Sequence, residues 1–366
     1  MHQIKIGDKV ISKDAPCFII AEAGVNHVLE KNDLHRIGAT SSLEVAYRLV
    51  DAAKEAGADA IKFQSFTADN LQYKGTKKPG YQLATSGSDD DLSYYDMIKK
   101  LETSKEDQVK IAGYCKKKGI IFFSTPYDNE SVDFLDATIG VPLFKLASIE
   151  LLNHLFFRYV AKKGKPIIIS TGLGNMEDVR AVMNIARTEG FADRLVLLQC
   201  TSNYPTLAKD VHLNVLKTYQ LEFPDVLVGL SDHSPTFIAS IGATALGAVV
   251  LEKHFTLDKT FTGPDHSSSL DPKELREWIH AVREIEASMG AAQKHITDVE
   301  KKNATMRKYL VIADQKRGTV IEEHMLKAMR TGTGILPVDN NIKRIIGKRL
   351  KEDVPEPAPL RWDMLE

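Results

Sequence analysis

Eight short apolar segments recur along the first 290 or so residues of the chain, and segments of helical period separate them. Each apolar segment is bounded by Gly, Pro or charged residues and runs without polar–apolar alternation, which is typical of parallel strands covered on both faces. The predicted strands are 17–22, 59–64, 119–124, 142–147, 166–171, 194–200, 226–231 and 248–252.

The segments between these strands have the composition and period of amphipathic helices. The clearest are 42–56, 104–118, 129–137, 150–163, 175–189, 235–246 and 272–289. Because strand and helix alternate throughout, the pattern favours a parallel (β/α)8 TIM barrel over a doubly wound sheet.

A change of composition near residue 290 marks the end of the predicted barrel domain, 1–290. Residues 291–302 are polar and Lys-rich, which is typical of a linker. Residues 303–366 alternate short apolar runs with turns, so we expect a small β-rich domain there.

The charge balance argues against a polyanionic partner. Lys+Arg total 48 and Asp+Glu total 49, a formal net charge of -1, so the chain lacks the basic excess of nucleic-acid-binding proteins. Neither a long apolar run nor a signal peptide is evident, which predicts no membrane association. The three cysteines have no CxxC spacing and favour buried thiols in the cytoplasm.

Polar residues stand at or just beyond the carboxyl end of each predicted strand. In TIM barrels these ends form the face that carries the active site. The residues expected there are Glu22, Lys62, Gln64, Thr125, Lys145, Ser148, Glu150, Ser202, Tyr204, Ser231, His233, Glu252 and His254.

Two histidines, His233 and His254, follow the last two strands, which are neighbours in a barrel. Two imidazoles with positions left for water and substrate suit a catalytic Mn, Co, Fe or Zn ion, whereas Mg usually prefers carboxylate oxygen. The alternative is a pair of hydrogen-bonding histidines without a metal.

Lys62 and Lys145 lie inside apolar strands, where a lysine is costly to bury unless an anion pairs with it. One hypothesis is a clamp on an anionic substrate, aided by the hydroxyls of Thr125, Ser148 and Ser231. Others are a Schiff-base lysine and a lysine that reaches the surface. Four carboxylates could transfer protons or support a metal-bound group: Glu22, Glu150, Glu252 and Asp265.

The ordered motifs of this chain resemble the sialic acid synthase family, which includes N-acetylneuraminate, legionaminate and pseudaminate synthases. The resemblance covers nearly the whole chain. It rests on AEAGVNH (21–27), GADAIKFQ (57–64), FFSTPYD (122–128), FKLASIE (144–150), GKPIIISTG (164–172), CTSNYP (200–205), GLSDHS (229–234), LEKHFTLD (251–258) and GPDHSSS (263–269). MRKYLVIADQKRGTVI and RTGTGILP resemble the family's C-terminal antifreeze-like (SAF) domain.

The resemblance implies condensation of phosphoenolpyruvate with an N-acylated amino sugar, either N-acetylmannosamine or a 6-deoxy diacetamido hexose. It implies His233 and His254 as ligands of a divalent cation, Mn2+ first, with Co2+ or Mg2+ as alternatives. It places Lys62, Thr125, Lys145, Ser148 and Ser231 around phosphoenolpyruvate, with Ser202 in the phosphate region. It places Glu22, Gln64, Glu150, Tyr204, Glu252 and Asp265 around the sugar and the reacting carbons.

The resemblance also implies a domain-swapped homodimer in which Arg330, close to Gly332 and Gly334, contacts the acyl group of the sugar in the neighbouring barrel. Two segments depart from the family: the loop after AEAGVNH is longer here, over 28–41, and 83–95 gives no alignment for a sugar-contacting asparagine found in some members. Two alternative functions are a Schiff-base lyase using Lys145 and a non-catalytic carbohydrate-binding protein.

Overall fold

A computed structural model describes residues 2–79 and 93–366, so most of the 83–95 segment lies outside the described residues. Internal contacts divide the chain into two units, Met1–Gly290 and Ala291–Glu366.

The first unit begins with an antiparallel hairpin of β1 (Gln3–Ile6) and β2 (Lys9–Ser12). Gly7 and Asp8 make the two-residue turn, and Gly7 has a φ of 61°, a value that favours glycine. Ile4, Ile6 and Ile11 are buried. This hairpin is not among the predicted strands, although a Gly-Asp turn between two apolar runs is a recognised hairpin signal.

Eight parallel strands follow and pair in one sheet. They are β3 (Phe18–Gly24), β4 (Ala60–Ser65), β5 (Ile121–Pro126), β6 (Phe144–Leu146), β7 (Ile167–Ser170), β8 (Leu195–Cys200), β9 (Leu227–Asp232) and β10 (Val250–His254). The sheet order is β5-β4-β3-β10-β9-β8-β7-β6, and the outer strands β5 and β6 contact each other. This near-closed barrel confirms the predicted (β/α)8 fold and all eight predicted strands.

The barrel strands are buried almost throughout, because side chains fill the interior and helices cover the outside. The helices of this unit are α1 (Lys31–Arg36), α2 (Ser42–Ala56), α3 (Ala68–Leu71), α4 (Tyr94–Lys100), α5 (Lys105–Lys118), α6 (Asn129–Asp133), α7 (His154–Ala161), α8 (Met176–Thr188), α9 (Val215–Glu222), α10 (Ile238–Ala245) and α11 (Pro272–Met289). In the described part of the chain, no helix is both long and apolar enough to cross a membrane.

All seven predicted helical segments contain a helix, with two adjustments. The segment 129–137 divides into α6 and a π-helix, Phe134–Ile139. The segment 150–163 begins after a 3-10 turn, Ser148–Glu150, and becomes helical at His154. The helices α1, α3, α4 and α9, each of eight residues or fewer, were not predicted.

Local signals in the sequence define the ends of the longer helices. Ser41 caps α2 by accepting a hydrogen bond from the Glu44 backbone N–H, and Gly57 ends it with a φ of 93°. Asp271 and Glu274 form a reciprocal capping box at the start of α11. These caps fix where each connection turns back toward the barrel.

The second unit contains α12 (Asp298–Lys302), β11 (Lys308–Ile312), β12 (Lys327–Arg330), α13 (Asp339–Ile345) and β13 (Ala358–Pro359). The antiparallel strand order is β12-β11-β13. Its own apolar core includes Leu310, Ile312, Ile321, Leu350 and Leu360. The segment predicted as linker, 291–302, thus contains one short helix.

Candidate active site

A cavity of about 600 Å³ opens at the carboxyl ends of the barrel strands. Its lining includes thirteen of the fourteen barrel residues singled out in the sequence: Glu22, Lys62, Gln64, Thr125, Lys145, Ser148, Ser202, Tyr204, Ser231, His233, Glu252, His254 and Asp265. These residues come from six of the eight strands, β3 to β6, β9 and β10, and from the loops after β6, β8, β9 and β10. The cavity volume is typical of small-molecule sites.

Lys62 projects from β4 into the cavity and is buried. Its Nζ lies 3.1 Å from Glu22 Oε2 and 3.4 Å from Glu252 Oε1, and it donates to Thr125 Oγ1 at 3.0 Å. Burial lowers the pKa of Lys62, but the Glu22 and Glu252 carboxylates outweigh burial and leave this pKa above its usual value. Lys62 is therefore a permanent positive charge in the cavity.

Lys145 on β6 is the second buried ammonium. Its Nζ donates to Ser170 Oγ at 2.7 Å and to the Leu146 carbonyl at 2.9 Å, and lies 3.8 Å from Glu252 Oε1. Burial lowers the pKa of Lys145 to about 8, and the charge of Lys62 adds to this effect against the opposing Glu252 carboxylate. Lys145 could consequently gain or lose a proton near neutral pH.

Glu252 on β10 lies between the two lysines and accepts a hydrogen bond from Ser231 Oγ at 3.1 Å. Burial favours its neutral form, yet Lys145 and Lys62 outweigh burial and lower the pKa of Glu252 below its usual value. The Glu252 carboxylate thus bridges the two ammonium groups, which lie close enough to contact one small anion. The cluster could therefore bind a multiply charged phosphate or carboxylate.

Glu22, at the end of β3, is fully buried, and its Oε1 accepts from Gln64 Nε2 at 3.3 Å. Burial raises the pKa of Glu22 to about 7 despite the nearby Lys62 charge. A carboxyl group with this pKa is suited to proton transfer near neutral pH.

His233 directly follows β9, and its ring is oriented by a backbone group. Nδ1 lies 2.9 Å from the Thr201 carbonyl oxygen, which can only accept, so Nδ1 carries the proton. In the neutral ring, Nε2 then has a free lone pair, and it lies on the side of Ser231 Oγ, 3.4 Å away. A backbone contact of this kind is typical behind metal-binding histidines.

His254 ends β10, and its ring centroid lies 5.4 Å from that of His233. Its Nδ1 is buried, lies 3.7 Å from Asp265 Oδ2, and has no hydrogen-bond partner among the residues that the structure describes. Burial holds the pKa of His254 well below its usual range, as does the charge that His233 carries when it is protonated, and burial raises the pKa of Asp265 to about 6. Tyr204 packs against both imidazoles at 4.1 and 5.3 Å.

The two histidines have the donor chemistry that a divalent cation requires. Both rings face one cavity, a carbonyl fixes the tautomer of His233, and a neutral His254 ring keeps a lone pair for coordination. No cluster of three or more His, Cys, Asp or Glu side chains suited to a metal occurs in the described ranges 2–79 and 93–366. The protein would thus supply two imidazoles, leaving other positions for water and substrate.

Cys200, at the end of β8, lines the same cavity, which the sequence analysis did not anticipate. All three cysteines of the chain are buried with free thiols. Cys200 Sγ accepts from Ser148 Oγ at 3.4 Å and lies 3.8 Å from His233 Nδ1. Burial raises the pKa of this thiol, but His233 outweighs burial and brings the pKa to about 7. The position of Cys200 at the end of a predicted strand was the sequence signal that could have placed it in the cavity.

Apolar and aromatic side chains complete the wall and were also missed. They include Val25, Phe66, Tyr94, Tyr127, Leu173 and Pro264. These residues lie in loops or at helix starts beyond the strand ends. Strand periodicity gives no information there on the direction in which a side chain projects.

Glu150 is the predicted barrel residue that does not join the described lining of the cavity. It lies in the turn Ser148–Glu150, and its Oε2 accepts from Asn153 Nδ2 at 2.8 Å. Arg330, in the second unit, ends β12 and is exposed. The structure therefore brings thirteen of the predicted residues together and leaves Glu150 outside that group.

The fold and this cavity define a (β/α)8 barrel enzyme class with a cationic substrate site beside two imidazoles. Residues 49–294 match the NeuB family, and residues 312–366 match the SAF domain. The chain belongs to the NeuB family.

Curated relatives cover nearly the whole chain. N,N'-diacetyllegionaminic acid synthase of Legionella pneumophila is 37% identical over 98% of this chain and 98% of its own length. N-acetylneuraminate-9-phosphate synthase of Homo sapiens is 35% identical over 96% of this chain and 93% of its own. The solved N-acetylneuraminic acid synthetase of Leptospira borgpetersenii has a TM-score of 0.69 and 28% identity over 82% of this chain and 94% of that chain. The chain is thus an enzyme of the sialic acid synthase type.

Proposed function

We propose that this enzyme condenses phosphoenolpyruvate and water with an N-acetylated amino sugar, giving a nonulosonic acid and phosphate. The observation that carries the proposal is the pair of buried ammonium groups of Lys62 and Lys145, held by Glu252 in one cavity with His233 and His254. The family supports the reaction class, and the cavity supports its two substrates.

The phosphoenolpyruvate side of the cavity is the part with the most cationic and hydroxyl donors. The two lysines would bind its carboxylate and phosphate, with hydroxyl donors from Thr125, Ser148 and Ser231. Binding this anion would also hold Lys145 in its charged form, since its pKa of about 8 would rise beside a phosphate.

The sugar side of the cavity includes the two histidines, Tyr204 and Asp265. A divalent cation held by His233 and His254, Mn2+ first and Co2+ or Mg2+ next, would polarise the aldehyde oxygen of the open-chain sugar. Gln64 and the aromatic wall would orient the sugar.

In the proposed reaction, C3 of phosphoenolpyruvate attacks the aldehyde carbon, and the double-bond electrons form the new C–C bond. Water adds to the cationic C2, and its proton passes to Glu22, whose pKa of about 7 suits that role. The C–O bond between C2 and the phosphate then breaks, the C2 hydroxyl loses its proton as the ketone of the product forms, and the former aldehyde oxygen takes up a proton to become a hydroxyl. Lys62 stabilises the developing charge. Glu150, the other candidate base, is less suited since it points to Asn153.

The acceptor is proposed to be a free N-acetylmannosamine or 6-deoxy diacetamido hexose. The lysines of the cavity form one cluster around Glu252, which suits one multiply charged substrate. A preference for the 6-phosphate sugar in competition kinetics would contradict this assignment.

We also propose that the enzyme works in the cytoplasm as a domain-swapped homodimer. Three buried free thiols support a reducing compartment. The exposure of Arg330 on β12 allows it to contact the sugar bound in a neighbouring subunit.

One alternative deserves a direct test because Lys145 has a lowered pKa, as Schiff-base lysines do. Purified protein should be mixed with phosphoenolpyruvate, Mn2+ and a panel of amino sugars, and phosphate and sugar acid measured. Stoichiometric release of both, lost after chelation, supports the synthase. Metal-independent cleavage of a sialic acid, with borohydride trapping on Lys145, would establish the lyase instead.

A further inference from the structure

The 28–41 segment contains the short helix α1 and one buried acidic side chain, Asp33. Asp33 Oδ1 accepts from Arg36 Nη1 at 2.8 Å, and its Oδ2 accepts from the backbone N–H of Thr262 at 2.9 Å. A buried carboxylate with both oxygens occupied is a firm anchor. This anchor joins α1 to a loop more than 200 residues away.

Arg36 adds three contacts to the same loop. Its Nη2 donates to Thr260 Oγ1 at 2.8 Å and to Asp258 Oδ2 at 3.1 Å, and its guanidinium lies over the Phe261 ring at 5.2 Å. The planar fork of an arginine can make such contacts at once, whereas a lysine cannot. One side chain therefore contacts three residues in the first half of the loop, at positions 258, 260 and 261.

The loop in question, 256–270, carries Asp265 into the active-site cavity. Its two ends are joined because the Thr256 N–H donates to the Leu270 carbonyl at 2.9 Å. Asp265 lies between these two ends, and its Oδ2 is 3.7 Å from His254 Nδ1. The position of Asp265 thus depends on the contacts that the residues between these two ends make with their surroundings.

Packing connects the anchored half of the loop to Asp265. The Phe261 ring meets the His266 ring edge-on, with centroids 5.5 Å apart. His266 is buried, and its Nδ1 lies 2.7 Å from Thr256 Oγ1. A shift of Phe261 would therefore displace His266 and, with it, the adjacent Asp265.

We propose that the 28–41 segment is a positioning element, in which Asp33 and Arg36 hold the 256–270 loop so that the Asp265 carboxylate stays beside His254 on the sugar side of the cavity. Asp33 and Arg36 are positioning residues, since their contacts are to the loop. The kinetic consequence rests on the proposed synthase function, whereas the ordering of the loop does not.

The test compares Arg36→Ala and Arg36→Lys with the wild type. For Arg36→Ala we expect kcat/KM for the sugar to fall about 10-fold to 100-fold, because a displacement near 1 Å costs that much. The KM for phosphoenolpyruvate should stay within about twofold. Hydrogen exchange in peptides spanning 256–270 should accelerate. Arg36→Lys should show a smaller fall in kcat/KM and a smaller increase in hydrogen exchange than Arg36→Ala, since the charge remains.

Arg180→Ala is the matched control, because Arg180 also pairs with a carboxylate, Glu222, on the helical exterior. It should leave kinetics and loop exchange unchanged. If Arg36→Ala does not fold, Asp33→Asn serves in its place, since an amide oxygen can still accept from Thr262. A folded variant with wild-type loop exchange overturns the proposal. Faster loop exchange without any synthase activity in the wild type would contradict the proposed function alone.

Discussion

Lys62 and Lys145 differ in their partners although both are buried lysines on neighbouring parts of one cavity wall. Two carboxylates hold Lys62 charged, whereas Lys145 has hydroxyl and carbonyl partners and a single carboxylate, Glu252, at 3.8 Å. The pKa values of the two residues therefore move in opposite directions from the same ordinary value. Their environments, rather than residue type, decide their roles.

The first prediction is that Lys62→Met and Lys145→Met raise the KM for phosphoenolpyruvate by about 10-fold to 100-fold, since each removes a charge-assisted hydrogen bond. The KM for the sugar should change far less. Steady-state kinetics with each substrate varied separately measures this. Lys117→Met, on the exposed face of α5, is the control. Equal losses for both substrates would contradict an anion clamp.

The second prediction concerns the histidine pair. We expect His233→Ala and His254→Ala each to lower phosphate release by at least about 1000-fold and to weaken binding of Mn2+ in titration calorimetry. Circular dichroism should remain that of the wild type. Full activity of the wild type after exhaustive chelation would rule out a metal at this site.

The third prediction concerns His27, a buried histidine next to the cavity wall. Burial lowers its pKa to about 4 from an ordinary value of 6.5, so the unfolded state binds more protons than the folded state between these pH values. The free energy of unfolding should therefore fall as pH drops from about 6.5 to 4, by up to about 3 kcal/mol from this residue.

His27→Gln removes the titrating imidazole. It should therefore flatten the pH dependence of the free energy of unfolding measured in urea, even if stability at pH 7 is lower. His280→Gln, on the exposed face of α11, should retain the slope of the wild type. An unchanged slope in His27→Gln would show that other groups cause the acid sensitivity.

At the level of elements, strands β9 and β10 are joined by a buried ion pair next to both histidines. Lys253 Nζ lies 3.3 Å from Asp232 Oδ2, and each side chain is 1% exposed. Ser240 and Ser234 donate further hydrogen bonds to Asp232. Because Asp232 precedes His233 and Lys253 precedes His254, this pair fixes the spacing of the two imidazoles.

The fourth prediction is that Lys253→Met lowers the free energy of unfolding by about 3–5 kcal/mol, since it leaves Asp232 charged and buried without its partner. Thermal or urea unfolding measures the change. Lys273→Met, whose side chain is 84% exposed, should stay within about 0.5 kcal/mol of the wild type. A small loss in Lys253→Met would show that the serine hydroxyls alone satisfy Asp232.

At the level of the whole molecule, the barrel and the C-terminal unit each have their own apolar core. The predicted segment between them is polar, and its described residues are exposed from Gly290 to Asn303. Such a connection lets a small domain act in another subunit of a dimer.

The fifth prediction is that a 1:1 mixture of inactive His233→Ala and impaired Arg330→Ala subunits reaches about a quarter of wild-type activity at limiting sugar, because half of the dimers are heterodimers with one intact composite site. Light scattering should give a dimer mass, and Arg330→Ala alone should raise the KM for the sugar more than that for phosphoenolpyruvate. With subunit exchange verified, a mixture no more active than its Arg330→Ala component alone would mean that each C-terminal unit serves its own barrel.

The sequence by itself determined the barrel and the residues at its open face. Eight apolar strands covered on both sides have few ways to pack, and their alternation with helices leaves a parallel barrel. Since strands run parallel, their carboxyl ends meet, so Lys62, Lys145 and Glu252 could be assigned to one site before any contact was known. The short hairpin β1–β2 carried a usable turn signal and was missed.

Only the tertiary structure decided the direction of side chains beyond the strand ends. Glu150 belongs to a motif of the family, yet a turn directs it to Asn153, whereas Cys200 faces the cavity. Likewise, no local pattern links Asp33 to Thr262. Strand periodicity determines which face a residue occupies, but in turns and loops that direction depends on contacts between distant segments, which form only when the chain has folded.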